Sequence, residues 1–180
     1  MDLREVTEFF RDFAGYIITA LVIILVFTFV VSLQPIAGNS MSPTLEEGQV
    51  VVVFRLFKNY KRDDVVVIKL DTKYYVKRII GLPGERIDYL NGILKIDNVA
   101  YKETFLEDGV ITSNFLFEDI CSYSECPDRV IPDNMYLVLG DNRPDSIDSR
   151  DNSFGLVDKK NIKGKVIFKI WPVNNMGLIN

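Results

Sequence analysis

The chain has 180 residues, 48% of them apolar, and a formal net charge of −4, a length that suits one membrane segment plus a single globular domain. Its Lys and Arg are scattered rather than gathered into a basic stripe, which points away from a nucleic-acid partner. It contains no histidine, which excludes Ser-His-Asp triads, Cys-His dyads and histidine metal sites, so hydrolysis at neutral pH would need Lys, Asp, Glu, Tyr or a terminal amine as base.

From residue 13 to residue 45 no side chain is charged. The densest apolar part, 16–33, would span about 27 Å as a helix, close to the hydrocarbon thickness of a bilayer. Pro35 is expected to end it. The stretch 17–27, Ile-Ile-Thr-Ala-Leu-Val-Ile-Ile-Leu-Val-Phe, has no polar face of the kind a core helix shows. An uncleaved signal anchor over 13–34 is therefore expected: the run is too long for a removable signal peptide, and Pro35 with Ala37 makes a poor cleavage site. Arg4 and Arg11 precede the segment, and the first basic residue after it is Arg55. That asymmetry places residues 1–12 in the cytoplasm and the domain 35–180 outside.

After Gly48 the pattern changes to short β-branched runs, and 50–55, 65–70, 74–80, 93–96, 136–139 and 165–170 read as strands. Asp71-Thr72-Lys73 is a tight connection, and Asn91-Gly92 is a hairpin turn whose residues both tolerate positive φ. No long helical period follows residue 48, so a mainly β domain is expected, a sandwich or partly closed barrel. Residues 101–134 read as an irregular insertion. It holds both cysteines, Cys121 and Cys126, which are too few for a closed zinc site; a short disulfide and two free thiols are equally compatible with their spacing. Trp171 suits either a lipid interface or the core at a strand end.

Three segments carry chemistry. They are Gly38-Asn39-Ser40-Met41-Ser42-Pro43-Thr44-Leu45, then Tyr75-Val76-Lys77-Arg78-Ile79-Ile80-Gly81-Leu82-Pro83-Gly84-Glu85, then Gly140-Asp141-Asn142-Arg143-Pro144-Asp145-Ser146-Ile147-Asp148-Ser149-Arg150. Each has a bland reading: a linker serine, a solvent-facing strand lysine, a solvated loop. Period-two alternation, however, flanks Lys77 with Tyr75 and Ile79 on its own face. A lysine buried between them would favour the neutral amine, and a neutral amine can take a proton from a serine.

Together the segments resemble the boxes of the bacterial type I signal peptidases (leader peptidases), in the right order after one membrane anchor and over essentially the whole chain. The resemblance implies a β-rich signal-peptidase-like catalytic domain, with Ser40 as nucleophile, Lys77 as general base and the Ser40 backbone N–H as oxyanion donor. It makes Ser146 the serine that orients the lysine amine, Asp148 and Arg150 a structural ion pair, and Arg78 and Asp141 members of the same charge network. Ile36, Met41, Leu45, Tyr75 and Val76 fall where family members line shallow pockets for small substrate residues, although ordinary core packing explains each of them equally well. Gly38 stands where some relatives carry a hydroxyl that assists the nucleophile, a feature resembling the Gram-positive branch. Gly48-Gln49 replaces the family's usual Gly-Asp, and two extra residues lie between Arg150 and Gly155.

The implied partners are secretory preproteins, the lipid bilayer and, beside them, the secretion channel; no metal or cofactor is expected. Two other readings compete. A related Ser-Lys maturation peptidase would differ mainly in substrate, and a non-enzymatic membrane-anchored β domain would be expected to lack the serine or the lysine. A self-cleaving repressor would need a DNA-binding module where this chain has an apolar helix.

Overall fold

Leu3–Leu25 forms helix α1, and a single π-type stretch, Val26–Val30, continues it. This is a computed structural model that describes residues 3–56, 58–107 and 109–179; residues 1, 2, 57, 108 and 180, which fall in the expected 1–12 and 35–180 segments, lie outside the described residues, as does the Arg4 side chain. Within the helix, Phe13–Val30 has a mean hydropathy of 2.6 and none of it is buried. An apolar surface of that length and exposure matches a bilayer core rather than water. The Thr19 and Thr28 hydroxyls donate back to the Gly15 and Ile24 carbonyls at 2.8 and 2.7 Å, so neither turns a bare donor outward.

The helix ends at Val30, earlier than the expected stop at Pro35. Val31–Pro35 is instead strand β1, paired antiparallel with β2, Val50–Phe54. Pairing supplies partners for a backbone that Pro35 biases toward extended geometry, and proline is tolerated on an edge strand. Arg55 fastens the junction: its N–H donates to the Val30 carbonyl at 2.9 Å and its guanidinium to the Thr28 carbonyl at 3.0 Å.

The chain continues through β3 (Val65–Leu70), β4 (Lys73–Gly81), β5 (Ile87–Leu90), β6 (Ile93–Ile96) and β7 (Val99–Tyr101). A single helical turn, α2 (Phe117–Ile120), precedes β8 (Met135–Leu139), β9 (Val157–Asp158), β10 (Ile162–Trp171) and β11 (Gly177–Leu178). The larger sheet runs β1-β2-β10-β3-β4-β8-β9, with β11 on β10; β5-β6-β7 form a second, three-stranded sheet. The chain is thus mainly β behind an apolar N-terminal helix. Both expected turns form. Leu70 pairs with Lys73 around Asp71-Thr72, and Leu90 pairs with Ile93 around Asn91 (φ 54°) and Gly92 (φ 79°), the double positive φ of a tight hairpin.

Strand β3 is buried on both faces. Val65 and Val67 join one core with Ile36, Met41, Leu45, Val51, Val53 and Val166, while Val66 and Ile68 join another with Ile79, Val138 and Ile162. The second sheet closes a third core. There the expected irregular insertion needs correction: it is irregular except for α2 and the end of β7, yet it is not a solvated appendage. Phe115, Phe117, Cys121, Cys126 and Ile131 are buried in that core with Ile87, Tyr89 and Leu94. Phe115 exchanges both backbone hydrogen bonds with Tyr89, at 2.8 and 2.9 Å, and Cys121 and Cys126 form a disulfide. Strands β1, β5, β7, β9 and β11 have no counterpart in the sequence reading, since each is short or lacks clean alternation. Trp171, at the end of β10, is exposed rather than in the core.

Candidate active site

Residues 38–45 form a compact turn directly after β1. Ser42 N–H donates to the Asn39 carbonyl and Leu45 N–H to the Met41 carbonyl, at 3.0 and 2.8 Å, and the Ser42–Pro43 bond is cis. Met41 and Leu45 anchor the turn in the core beneath it, leaving Ser40 half-buried at the surface. Lys77 lies on β4 opposite Val66 and is only 2% exposed, between half-buried Tyr75 and fully buried Ile79, the environment that alternation predicted. Its amine donates to Ser146 Oγ at 3.1 Å. Burial lowers the Lys77 amine to about 8, against the Asp148 carboxylate, which favours the charged form.

Gly140 lets the serine turn approach Ser146, which holds the lysine. A side chain there would collide with both neighbours: its Cβ would lie 2.2 Å from Ser146 Oγ and 2.4 Å from the Ser40 carbonyl oxygen. Only a residue without Cβ lets these two segments touch one point. The Asn142 N–H donates to the Ser40 carbonyl and its side-chain amide to the Asn39 carbonyl, both at 3.1 Å. Ser40, Ser146 and Lys77 are thereby gathered around one loop.

The charged residues divide into two pairs rather than one network. Arg78 donates to both oxygens of Asp141, at 3.0 and 2.7 Å, with both side chains fully buried. Asp141 also accepts from Thr44 Oγ1 at 2.6 Å, tying the serine turn to β4, and Phe105 caps Arg78 with its ring centre 4.2 Å away. Separately, Arg150 grips Asp148 at 2.8 and 2.7 Å, and Asp148 accepts the Gly140 N–H at 2.9 Å. Burial by itself would raise the Asp148 carboxyl, but Arg150 and the Gly140 N–H hold it below its ordinary value.

A sequence model of the family described as signal peptidase, peptidase S26, matches residues 10–171. The chain belongs to the signal peptidase family. It is similar to a signal peptidase I of Bacillus caldolyticus, 39% identical with 80% of this chain and 81% of that one covered. A signal peptidase IB of Staphylococcus aureus strain COL is 35% identical, with 94% of this chain and 91% of that protein covered. The crystal structure of a signal peptidase I from Enterococcus faecalis V583 superimposes with a TM-score of 0.51 at 31% identity, covering 59% of this chain and 96% of that one.

The expected pocket residues of this signal peptidase family member are only partly brought together. Ile36, Met41, Tyr75 and Val76 line a cavity of about 90 Å³ beside Ser40, whereas Leu45 is fully buried in the core below and has no part in that lining. Three residues of the chemistry-bearing segments had no role in the sequence reading. Thr44 and Asn142 make the contacts described above. Arg143 is buried, donates to the Gly140 carbonyl at 3.0 Å, and pairs with Glu103. Their only sequence signal was membership of the three segments. Residues 151–155 fold into a tight turn, in which Phe154 and Gly155 N–H both donate to the Asp151 carbonyl, and Phe154 packs edge-on against Tyr75.

Proposed function

We propose that this chain is a membrane-bound serine endopeptidase that removes N-terminal signal peptides from secretory preproteins, with Ser40 as nucleophile and Lys77 as general base. The observation that carries this reading is the buried Lys77 amine, held by Ser146 and lowered to about 8, across Gly140 from Ser40. Neutral Lys77 takes the Ser40 proton as Oγ attacks the scissile carbonyl, and the carbonyl oxygen becomes an oxyanion. Among the described residues nothing accepts the Ser40 N–H, which leaves it available as the oxyanion donor. Collapse breaks the C–N bond, and the lysine returns its proton to the leaving amine. Water, deprotonated by Lys77, then releases the signal peptide from Ser40. Ser146 positions the lysine; Arg78, Asp141, Asp148 and Arg150 hold the loops around it.

Substrate binds as an extended strand. β1 is a sheet edge, and the first half of β4 is paired only with β3, because pairing to β8 begins at Arg78. Two open backbone edges therefore flank the small cavity. Its volume of about 90 Å³ suits a methyl group and would need repacking for a ring. Detergent-solubilised protein should cut a preprotein after a small residue, as read by sequencing the new N-terminus. Changing that residue from alanine to phenylalanine should reduce kcat/KM at least about 100-fold, and Met41→Ala should narrow the gap. Equal cleavage of both substrates would point to a dedicated Ser-Lys maturation peptidase instead.

Residues 13–30 form the membrane anchor, with 1–12 cytoplasmic and the domain from β1 to 180 outside, beside the secretion channel. Protease added to intact spheroplasts should digest the domain. Digestion only after lysis would reverse the orientation.

A further inference from the structure

A second cavity, of about 320 Å³, continues the cleft along β1 away from Ser40. It is lined by Ser32, Leu33, Gln34, Arg55, Tyr74 and Lys163 among others, and it shares Gln34 and Tyr74 with the small cavity. Its character differs from the first: it is several times larger and carries two cations. Arg55 is held at the end of the apolar helix by the Thr28 carbonyl, and Lys163 by the Lys160 carbonyl at 3.0 Å. Each bond uses one donor, leaving four on the guanidinium and two on the ammonium. Neither residue forms an ion pair among the described residues. Lys69, whose amine lies 5.7 Å from the Tyr74 ring centre, adds positive charge beside the same wall.

Resting on the signal-peptidase reading, we propose that this cavity is an upstream substrate subsite that receives an acidic or strongly polar side chain of the signal peptide. Along β1, Ser32 lies about 13 Å before Ile36, and an extended substrate covers that distance in about four residues. With the residue at the cut in the small cavity, the upstream subsite meets roughly the fifth or sixth residue before it. This is also the end of the cleft nearest the membrane, since β1 follows directly from the apolar helix. A signal peptide emerging from the bilayer would pass Arg55 and Lys163 before reaching Ser40. The walls it shares with the small cavity beside Ser40 assign this cavity to substrate rather than to lipid.

The test uses the full-length protein in detergent and three preproteins that differ only in carrying Glu, Gln or Lys at the sixth residue before the cut. Wild type should prefer the Glu over the Lys substrate by about fivefold in kcat/KM, the scale of partly screened charge pairs. In the Arg55→Gln/Lys163→Gln double variant that ratio should fall to near one. Lys163→Glu, at an exposed position whose change should not disturb the helix junction, sets a carboxylate against Arg55 and should likewise bring the ratio to near one. Wild-type indifference to the charge, or a ratio that survives the double substitution, would overturn the subsite. Cleavage of none of the three by wild type would instead sink the signal-peptidase reading. An unchanged ratio combined with weaker binding of the double variant to phosphatidylglycerol vesicles would assign the cations to lipid headgroups and also overturn the proposal.

Discussion

Lys77→Met is expected to abolish preprotein cleavage while making the folded domain more stable. The wild-type amine is buried, and burial lowers it to about 8 in the fold, against about 10.4 in an unfolded chain. Between those values the unfolded state binds more protons, so this group's contribution to stability rises with pH from about 8 to about 10.4. Below pH 8 the whole cost is present, roughly 3 kcal/mol for a shift of this size. Methionine removes that cost and loses the hydrogen bond to Ser146, worth about 1 kcal/mol, so a net gain of about 1–2 kcal/mol should appear as a higher melting temperature at pH 7. Activity should move the other way. Without a neutral amine, nothing at that position takes the Ser40 proton, and kcat/KM should drop at least about 1000-fold. Lys77→Arg should be equally inactive, because a guanidinium stays protonated. The wild-type rate should climb as the pH rises through about 8 and then level off. Retention of a tenth of the activity by either variant would remove Lys77 from the role of base.

Arg78→Leu is expected to be the most destabilising single change near the site. Arg78 and Asp141 are both fully buried and joined by two hydrogen bonds, and Arg78 also donates to the Asp63 carbonyl at 2.9 Å. Removing the cation strands a carboxylate in the interior, at a cost of about 3–5 kcal/mol. For a domain of this size the melting temperature should fall by roughly 10 °C or more. Asp141→Leu added to Arg78→Leu should recover much of the loss, because a buried pair replaced by apolar groups is far less costly than a broken one. Thermal melts of the detergent-solubilised single and double variants decide it. A double variant no more stable than Arg78→Leu alone would mean that the pair does more than neutralise its own charge. The Thr44 hydroxyl held by Asp141 is then the first contact to examine, since it positions the serine turn.

Much of the site was legible in the chain because its signals are local. The absence of histidine narrows the choice of base; alternation around Lys77 predicts its burial; and Ser40, Lys77 and Ser146 stand in segments whose spacing resembles one family. The strands at 65–70 and 93–96 and the Asn91-Gly92 turn were equally local, each set by residue preferences within a few positions. Partner choice was not. Arg78 meets Asp141 across 63 positions, Arg143 meets Glu103 across 40, and the ordering of residues 115–131 depends on the backbone edge of β5. The fate of 31–35 likewise depended on a distant strand: these apolar residues could prolong the helix, and only pairing with Val50–Phe54 made them β1. Residue preferences and period determined the six strands β2, β3, β4, β6, β8 and β10 and the inward turn of side chains such as Lys77. Which buried charge meets which, and whether a buried residue such as Leu45 lines a cavity or fills the core, was decided by tertiary packing, because those energies arise only when segments far apart in the chain come into contact.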